Sequence, residues 1–199
     1  MTTEATIKVK GHVHIADKQS GEVLLDKNNA VHNKNMAIAI ARGLSNEPPD
    51  AISNIGKHQI FKIKLGNGGS TISSSNEITY LAPNVTAPNA DLWSPTYEEQ
   101  VDEANVATPS ENSVTYQESP APDETTIVIV TATIAAGEPS GQDLTDSPGN
   151  PDPEAQYAFD ELGLFTYDDL LLTHIIFSPI LKTANRELVI TYTLTISVS

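Results

Sequence analysis

Apolar and polar residues alternate strictly from Ile7 to Ile15, with Ile7, Val9, Val13 and Ile15 on one side and Lys8, Lys10, His12 and His14 on the other. A period of two is the pattern of a half-buried strand. Turn-forming residues follow at Asp17-Lys18-Gln19-Ser20-Gly21, and Glu22-Val23-Leu24-Leu25-Asp26 reads as the returning strand. The chain therefore predicts an opening β-hairpin.

The period changes in NNAVHNKNMAIAIARGLSNEPP, where Met36, Ile40 and Leu44 recur every fourth residue with Ala37 and Ala41 beside them. This predicts one amphipathic helix over 34–44, capped by Asn33 or Asn35, with Arg42 in its last turn and Gly43 or Pro48-Pro49 ending it. Strand alternation returns in HQIFKIKLGNGGST, with Phe61, Ile63 and Leu65 against Lys62 and Lys64, before Gly66-Asn67-Gly68-Gly69 forces a tight turn. TTIVIVTATIAA is apolar on both faces over Ile127 to Val130, which predicts a central strand. The last third offers YAFDELGLFTY, LLLTHIIFSPIL and RELVITYTLTISVS. In the last of these, Leu188, Ile190, Tyr192, Leu194, Ile196 and Val198 face away from Thr191, Thr193, Thr195 and Ser197. Thr183-Ala184-Asn185 predicts a hairpin joining the final two strands. Residues 82–124 and 137–156, rich in Pro, Ser, Asp, Glu and Asn, read as long loops. No fixed-period repeat argues for a solenoid or propeller. The expected fold is mainly β, a single antiparallel β-sandwich domain over 1–199 with one short α-helix and long acidic loops.

Composition sharpens this in two ways. The 199 residues include no cysteine, so thiolate chemistry, disulfides and Cys-ligated zinc are excluded. The net charge of −15 is unevenly spread: nine Lys and Arg lie up to Lys64, none follow until Lys182, and residues 65–181 carry 19 Asp and Glu. Such a middle region repels nucleic acid and favours basic or divalent-cation-bearing partners, although its plainest role is a solvated surface. No apolar run of membrane-spanning length and no leader-like start is present, so we expect a soluble chain made in the cytoplasm.

Candidate chemistry is sparse. His12-x-His14 points two imidazoles to one side, as metal sites do, and superficially resembles the cupin signature. In that signature a Glu follows closely; here Glu22 comes after seven residues and a turn, while Lys8 and Lys10 share the face and disfavour a cation. Solvent-facing histidines are the expectation. Asp146, Asp152, Glu154 and the Asp168-Asp169 pair are oxygen donors of the kind calcium takes, but without EF-hand spacing. The Gly66–Gly69 turn lacks the Lys-Ser/Thr of a phosphate loop, and no Gly-x-Ser-x-Gly elbow exists. Trp93 is the one tryptophan, expected to anchor its loop or dock on a partner, with Tyr97 nearby in sequence. No catalytic residue, metal ligand or cofactor is expected.

Three segments in order carry a resemblance: VHIADKQSGEVLLDKNNAVHNKNMAIAIARGL, IFKIKLGNGGST and DELGLFTYDDLLLTHIIFSPILKTANRELVITYTLTI. Their Gly-Glu hairpin, Asn-rich helix start, Gly-Asn-Gly-Gly turn, Phe-Ser-Pro-x-x-Lys segment and final Thr-rich strand resemble virion structural proteins of tailed double-stranded DNA bacteriophages. The resemblance covers about half the chain and omits the acidic middle. It implies a non-enzymatic β-rich component of the capsid surface, neck, collar or tail, located in the virion after synthesis in the host cytoplasm. The implied partners are other virion proteins and further copies of itself, with no direct nucleic-acid binding and no membrane insertion. Interaction residues expected from the pattern are Lys8, Lys10, His12, His14, Trp93 and Tyr97. The competing expectation is a carbohydrate- or cell-surface-binding module using calcium, or Trp93 and Tyr97 as a platform.

Overall fold

The alternating segments become strands in a computed structural model that describes residues 5–45, 47–51, 55–72, 74–75, 77–101, 112–119, 125–139 and 157–199. In chain order they are β1 (Ile7–Asp17), β2 (Val23–Val31), α1 (Asn33–Leu44), β3 (Ile60–Gly66), β4 (Ser70–Ile72), β5 (Ile78–Tyr80), β6 (Pro95–Gln100), β7 (Ser113–Glu118), β8 (Thr125–Ile134), β9 (Tyr157–Thr166), β10 (Leu171–Lys182) and β11 (Leu188–Val198). Nine strands form one antiparallel sheet in the order β6-β3-β9-β10-β2-β1-β11-β8-β7, and β4 pairs with β5 alone. Among the described residues no helix is long and apolar enough to cross a membrane.

The sheet folds on itself at β2 and β10, where the ladder is short: Thr173 pairs with Val31 and His174 with Ala30, and His32 N–H donates to Leu172 O at 2.8 Å just beyond. This thin seam divides a five-stranded leaf (β2, β1, β11, β8, β7) from a four-stranded one (β6, β3, β9, β10). Val13 and Ile15, Ile190 to Leu194 at alternate positions, and Val130, Ala132 and Ile134 meet Ile63, Leu65, Leu162, Leu164 and Leu172 in a shared core. Each large side chain removed from water this way stabilises by roughly 1.5–3 kcal/mol before conformational entropy is counted. The expected mainly β sandwich with one short helix is what forms.

Three local expectations change. First, α1 begins one residue early because His32 is its cap: its Nδ1 accepts the N–H of Asn35 at 3.3 Å, while the Asn35 side chain donates to Leu171 O at 2.9 Å. Asn35 is thereby committed to β10, and the helix runs through Gly43 to a cap at Ser45. Second, β10 and β11 do not pair. A turn at Thr183–Arg186 reverses the chain, but β11 pairs with β1 at every residue from Leu188 to Val198, and β10 pairs with β9 and β2. The final turn therefore carries the chain from one leaf to the other. Third, the region expected to be loop at 82–124 contains β6 and β7, the two edge strands of the sheet. Most of 137–156 lies outside the described residues.

The β1–β2 hairpin forms as expected, and its turn is a carboxylate nest. Asp17 accepts the N–H groups of Gln19 (3.0 Å) and Ser20 (2.8 Å), the Ser20 hydroxyl (3.0 Å) and Arg186 Nε (2.8 Å). Gly21 supplies the positive φ of 71° that lets the chain turn back. The Ser20 main-chain hydrogen bond and then the Arg186 guanidinium lower the Asp17 pKa from 3.8 to about 2. Because the folded value is the lower one, its stabilisation is complete above about 3.8 and is lost as pH falls through about 2. Denaturant unfolding at pH 7 and pH 2.5 should therefore show a smaller acid-induced loss for Asp17→Asn than for the wild type. Equal losses would remove the turn from the acid response.

Candidate functional site

A sandwich has two outer faces, and this chain covers one of them with its own loop. On the four-stranded leaf, Phe165 and Leu171 pack beneath Ala90 and Leu92 in a second small core, with Ala87 beside it. Glu161 on β9 is fully buried under that loop. Its Oε1 accepts the N–H groups of Ser94 (2.7 Å) and Gly68 (3.1 Å), and its Oε2 accepts Trp93 N–H (2.8 Å) and His174 Nε2–H (3.1 Å). His174 Nδ1 in turn accepts Asn84 N–H at 2.8 Å, which leaves the ring proton on Nε2. Next door, Asp160 accepts Gly69 N–H at 2.8 Å and the Ser70 hydroxyl at 2.5 Å. His32 Nε2–H donates to Ala87 O at 2.9 Å and ties the loop to the start of α1. Burial alone opposes ionisation of Glu161, but the hydrogen bonds from His174 and from the N–H groups of Ser94, Trp93 and Gly68 outweigh it and hold its pKa below the usual value. A buried carboxylate–imidazole pair is the chemistry of many acid–base sites, yet here every acceptor position of the carboxylate is taken by the chain itself. It works as a latch for the Gly66–Gly69 turn and the 84–94 loop.

The flank of this leaf is neutralised by its own acids. Lys62 Nζ lies 2.9 Å from Asp169 and 3.2 Å from Glu98, while Lys64 Nζ lies 3.2 Å from Asp91, 3.3 Å from Asp169 and 4.3 Å above the Phe165 ring. Arg42 pairs with Asp168 and with Glu47. The Asp168–Asp169 pair weighed as calcium donors is thus occupied by three cationic side chains, and a divalent ion would have to displace them. Asp146, Asp152 and Glu154 lie outside the described residues. Basic residues of the N-terminal part and acidic residues of the middle region are in these places complementary within one chain.

The outer face of the five-stranded leaf has no second core packed over it among the described residues. Its cross-strand rows run from Asp26 through His14, Thr191 and Thr131 to Ser113, then from Asn28 through His12, Thr193 and Ile129 to Thr115, then from Lys10 through Thr195 and Ile127 to Gln117. Lys8 and Ser197 continue the surface. Lys8, Lys10, His12 and His14 therefore share a face, as the alternation predicts. Asp26 is the one carboxylate at these paired positions: its Oδ1 is 2.6 Å from His12 Nε2 and its Oδ2 is 3.8 Å from His14 Nδ1. Asp26 thus supplies both imidazoles with an acidic neighbour from the same chain. Lys8 and Lys10 are exposed, with no carboxylate partner among the described residues.

Trp93 and Tyr97 do not form a joint platform. Trp93 is half exposed on the covering loop, with Nε1–H donating to Ala82 O at 3.1 Å. Tyr97, opposite the buried Leu65, turns toward the core, 6.5 Å from the Phe159 ring, and its hydroxyl donates to Glu99. One ring serves the surface of a loop and the other the interior. The sequence reading missed Glu161, Asp160 and His174. A charged pair inside YAFDELGLFTY and a histidine inside LLLTHIIFSPIL, both otherwise apolar, are the signals that mark buried polar groups.

The fold and this surface define a mainly β sandwich that covers one outer face with its own chain and, among the described residues, presents the other, which is threonine-rich. Comparison with protein families, curated proteins and solved structures finds no match.

Proposed function

We propose that the protein is a non-enzymatic structural subunit of a tailed-phage virion, built in at the capsid surface, neck, collar or tail, and that it binds its neighbours through the open face of the five-stranded leaf. The observation that carries this reading is the asymmetry between the two outer faces. In a chain of net charge −15, the uncovered one is neutral to basic, with Lys8 and Lys10 free to meet an acidic surface. Sheet surfaces rich in Thr and β-branched residues expose little apolar area singly but present a regular template for docking. The three resembling segments contain β2, β3, β10, most of β11 and β9, and β1 from Val13 onward, so three of the five strands of this leaf fall within them in whole or in part.

The test is direct. Mass spectrometry of purified particles should find the chain, and the isolated protein should bind particles lacking it, less tightly as salt is raised. Lys8→Glu with Lys10→Glu should weaken that binding by about tenfold or more while leaving thermal stability within about 0.5 kcal/mol, since both side chains are solvent-facing. Unaltered binding by the double variant would remove the face, and particles without the chain would remove the virion role.

A further inference from the structure

The two edges of the nine-stranded sheet are built differently. On β6, Pro95 opens the strand and Glu98 and Glu99 load it with charge, the devices that protect an edge from pairing. Its outward carbonyl at Gln100 is also taken, by Asn112 Nδ2 at 3.1 Å, while Asn112 Oδ1 accepts Thr133 N–H at 2.7 Å. Asn112 thus staples one corner of the sandwich shut. β7, with the sequence SVTYQE, has neither proline nor lysine.

Its register shows which groups face outward. Ser119 N–H donates to Thr125 O at 3.1 Å in continuation of the β7–β8 ladder. Bonded positions alternate in an antiparallel pair, so Ser113, Thr115 and Gln117 point their main-chain groups at β8, and Val114, Tyr116 and Glu118 point theirs away. Those outward groups have no hydrogen-bond partner among the described residues. The side chains of Val114 and Tyr116 lie opposite Val130 and Val128, on the core-facing side of the leaf, yet are 36% and 70% exposed because nothing described covers this end of the leaf.

We infer that β7 is a homodimerisation edge, pairing antiparallel with β7 of a second copy about a two-fold axis at Tyr116. This deepens the reading of the protein as an assembly subunit and rests on it for its biological setting. A two-fold at Tyr116 joins the outward groups of both copies reciprocally and sets Tyr116 against its own counterpart, so each copy covers the other's exposed Val114 and Tyr116. Glu118, the one charged residue of the strand, falls opposite Val114 of the other copy, and like charges are not juxtaposed. The two five-stranded leaves become one ten-stranded sheet with a continuous threonine face. The register that satisfies every outward group and keeps Glu118 away from its counterpart is that of a second copy of this edge.

The absence of cysteine gives a clean probe. Directly opposed bonded residues sit about 5.5 Å apart at Cα, within the range of about 4.4–6.8 Å that a disulfide spans. Under mild oxidation Tyr116→Cys should give a covalent dimer, whereas Leu44→Cys, on α1 and 85% exposed, should stay monomeric. In sedimentation the wild type should dimerise with concentration, more tightly as salt screens the net charge, and Tyr116→Lys should weaken the dimer by about tenfold or more while melting like the wild type. A wild type that stays monomeric throughout, equal cross-linking from Leu44→Cys, or a dimer indifferent to Tyr116→Lys would overturn the assignment. These measurements use the isolated chain, so their failure leaves the particle-binding test untouched, and the converse holds.

Discussion

Replacing Glu161 with alanine is expected to destabilise the protein by more than about 3 kcal/mol, enough to unfold a marginal domain, because it strands four donors at once, among them the fully buried His174. Ser94, Gly68 and Trp93 N–H and His174 Nε2–H all converge on this carboxylate. His174 cannot escape by changing tautomer, since its Nδ1 already accepts Asn84 N–H. Glu161→Gln should fall between the wild type and alanine. Its oxygen can keep two of the donors, but its amide then faces the other two. Denaturant unfolding gives the ordering, and the fluorescence of Trp93, the only tryptophan, reports whether the loop has lifted. The sign of the pH dependence follows from the lowered pKa. The ionised carboxylate stabilises the fold above its unfolded value near 4.5, and the contribution is lost as pH falls through the lower folded value. Glu161→Gln should flatten that acid limb. A Glu161→Ala protein as stable as the wild type would show that the Glu161 latch contributes nothing to the fold.

Gly66→Ala should be the most damaging glycine substitution among the described residues, costing about 1–3 kcal/mol or more. A Cβ there would come within 2.3 Å of Ser94 O, 2.9 Å of Ser94 C and 2.5 Å of Glu161 Oε1. Two of these are main-chain atoms of the latched loop, which no rotamer change can move aside. Gly21→Ala is the control: its surroundings are open and only its φ of 71° is strained, a cost of roughly 1–2 kcal/mol. Thermal unfolding should place Gly66→Ala below Gly21→Ala, with Trp93 emission shifted in the first and unchanged in the second. The reverse order would mean that the loop yields easily, and that the tight approach of the Gly66–Gly69 turn to β9 contributes little.

The Gly66 contacts also show where reading the chain stops. GNGG is legible as a turn, but that it is pressed between Asp160, Glu161 and Ser94 depends on residues far along the chain. β6 and β7 were hidden for a related reason. Edge strands are half exposed, so PTYEEQ and SVTYQE carry only one or two large apolar residues each and read as loop. The turn at Thr183–Arg186 was seen and its meaning misjudged, because turn residues specify that the chain reverses and say nothing about which strand it then joins.

By itself the sequence determined the mainly β class, the first hairpin, the helix to within a residue and the face on which Lys8, Lys10, His12 and His14 lie. All of these follow from local periodicity, which the backbone enforces wherever one side of an element is buried. Only the tertiary structure decided the pairing of β11 with β1, the seam at β2 and β10, the burial of Glu161 with His174, and the contrast between a guarded β6 and a bare β7. Those depend on contacts between residues distant in the chain, where the geometry of closure, rather than any local preference, selects the partner.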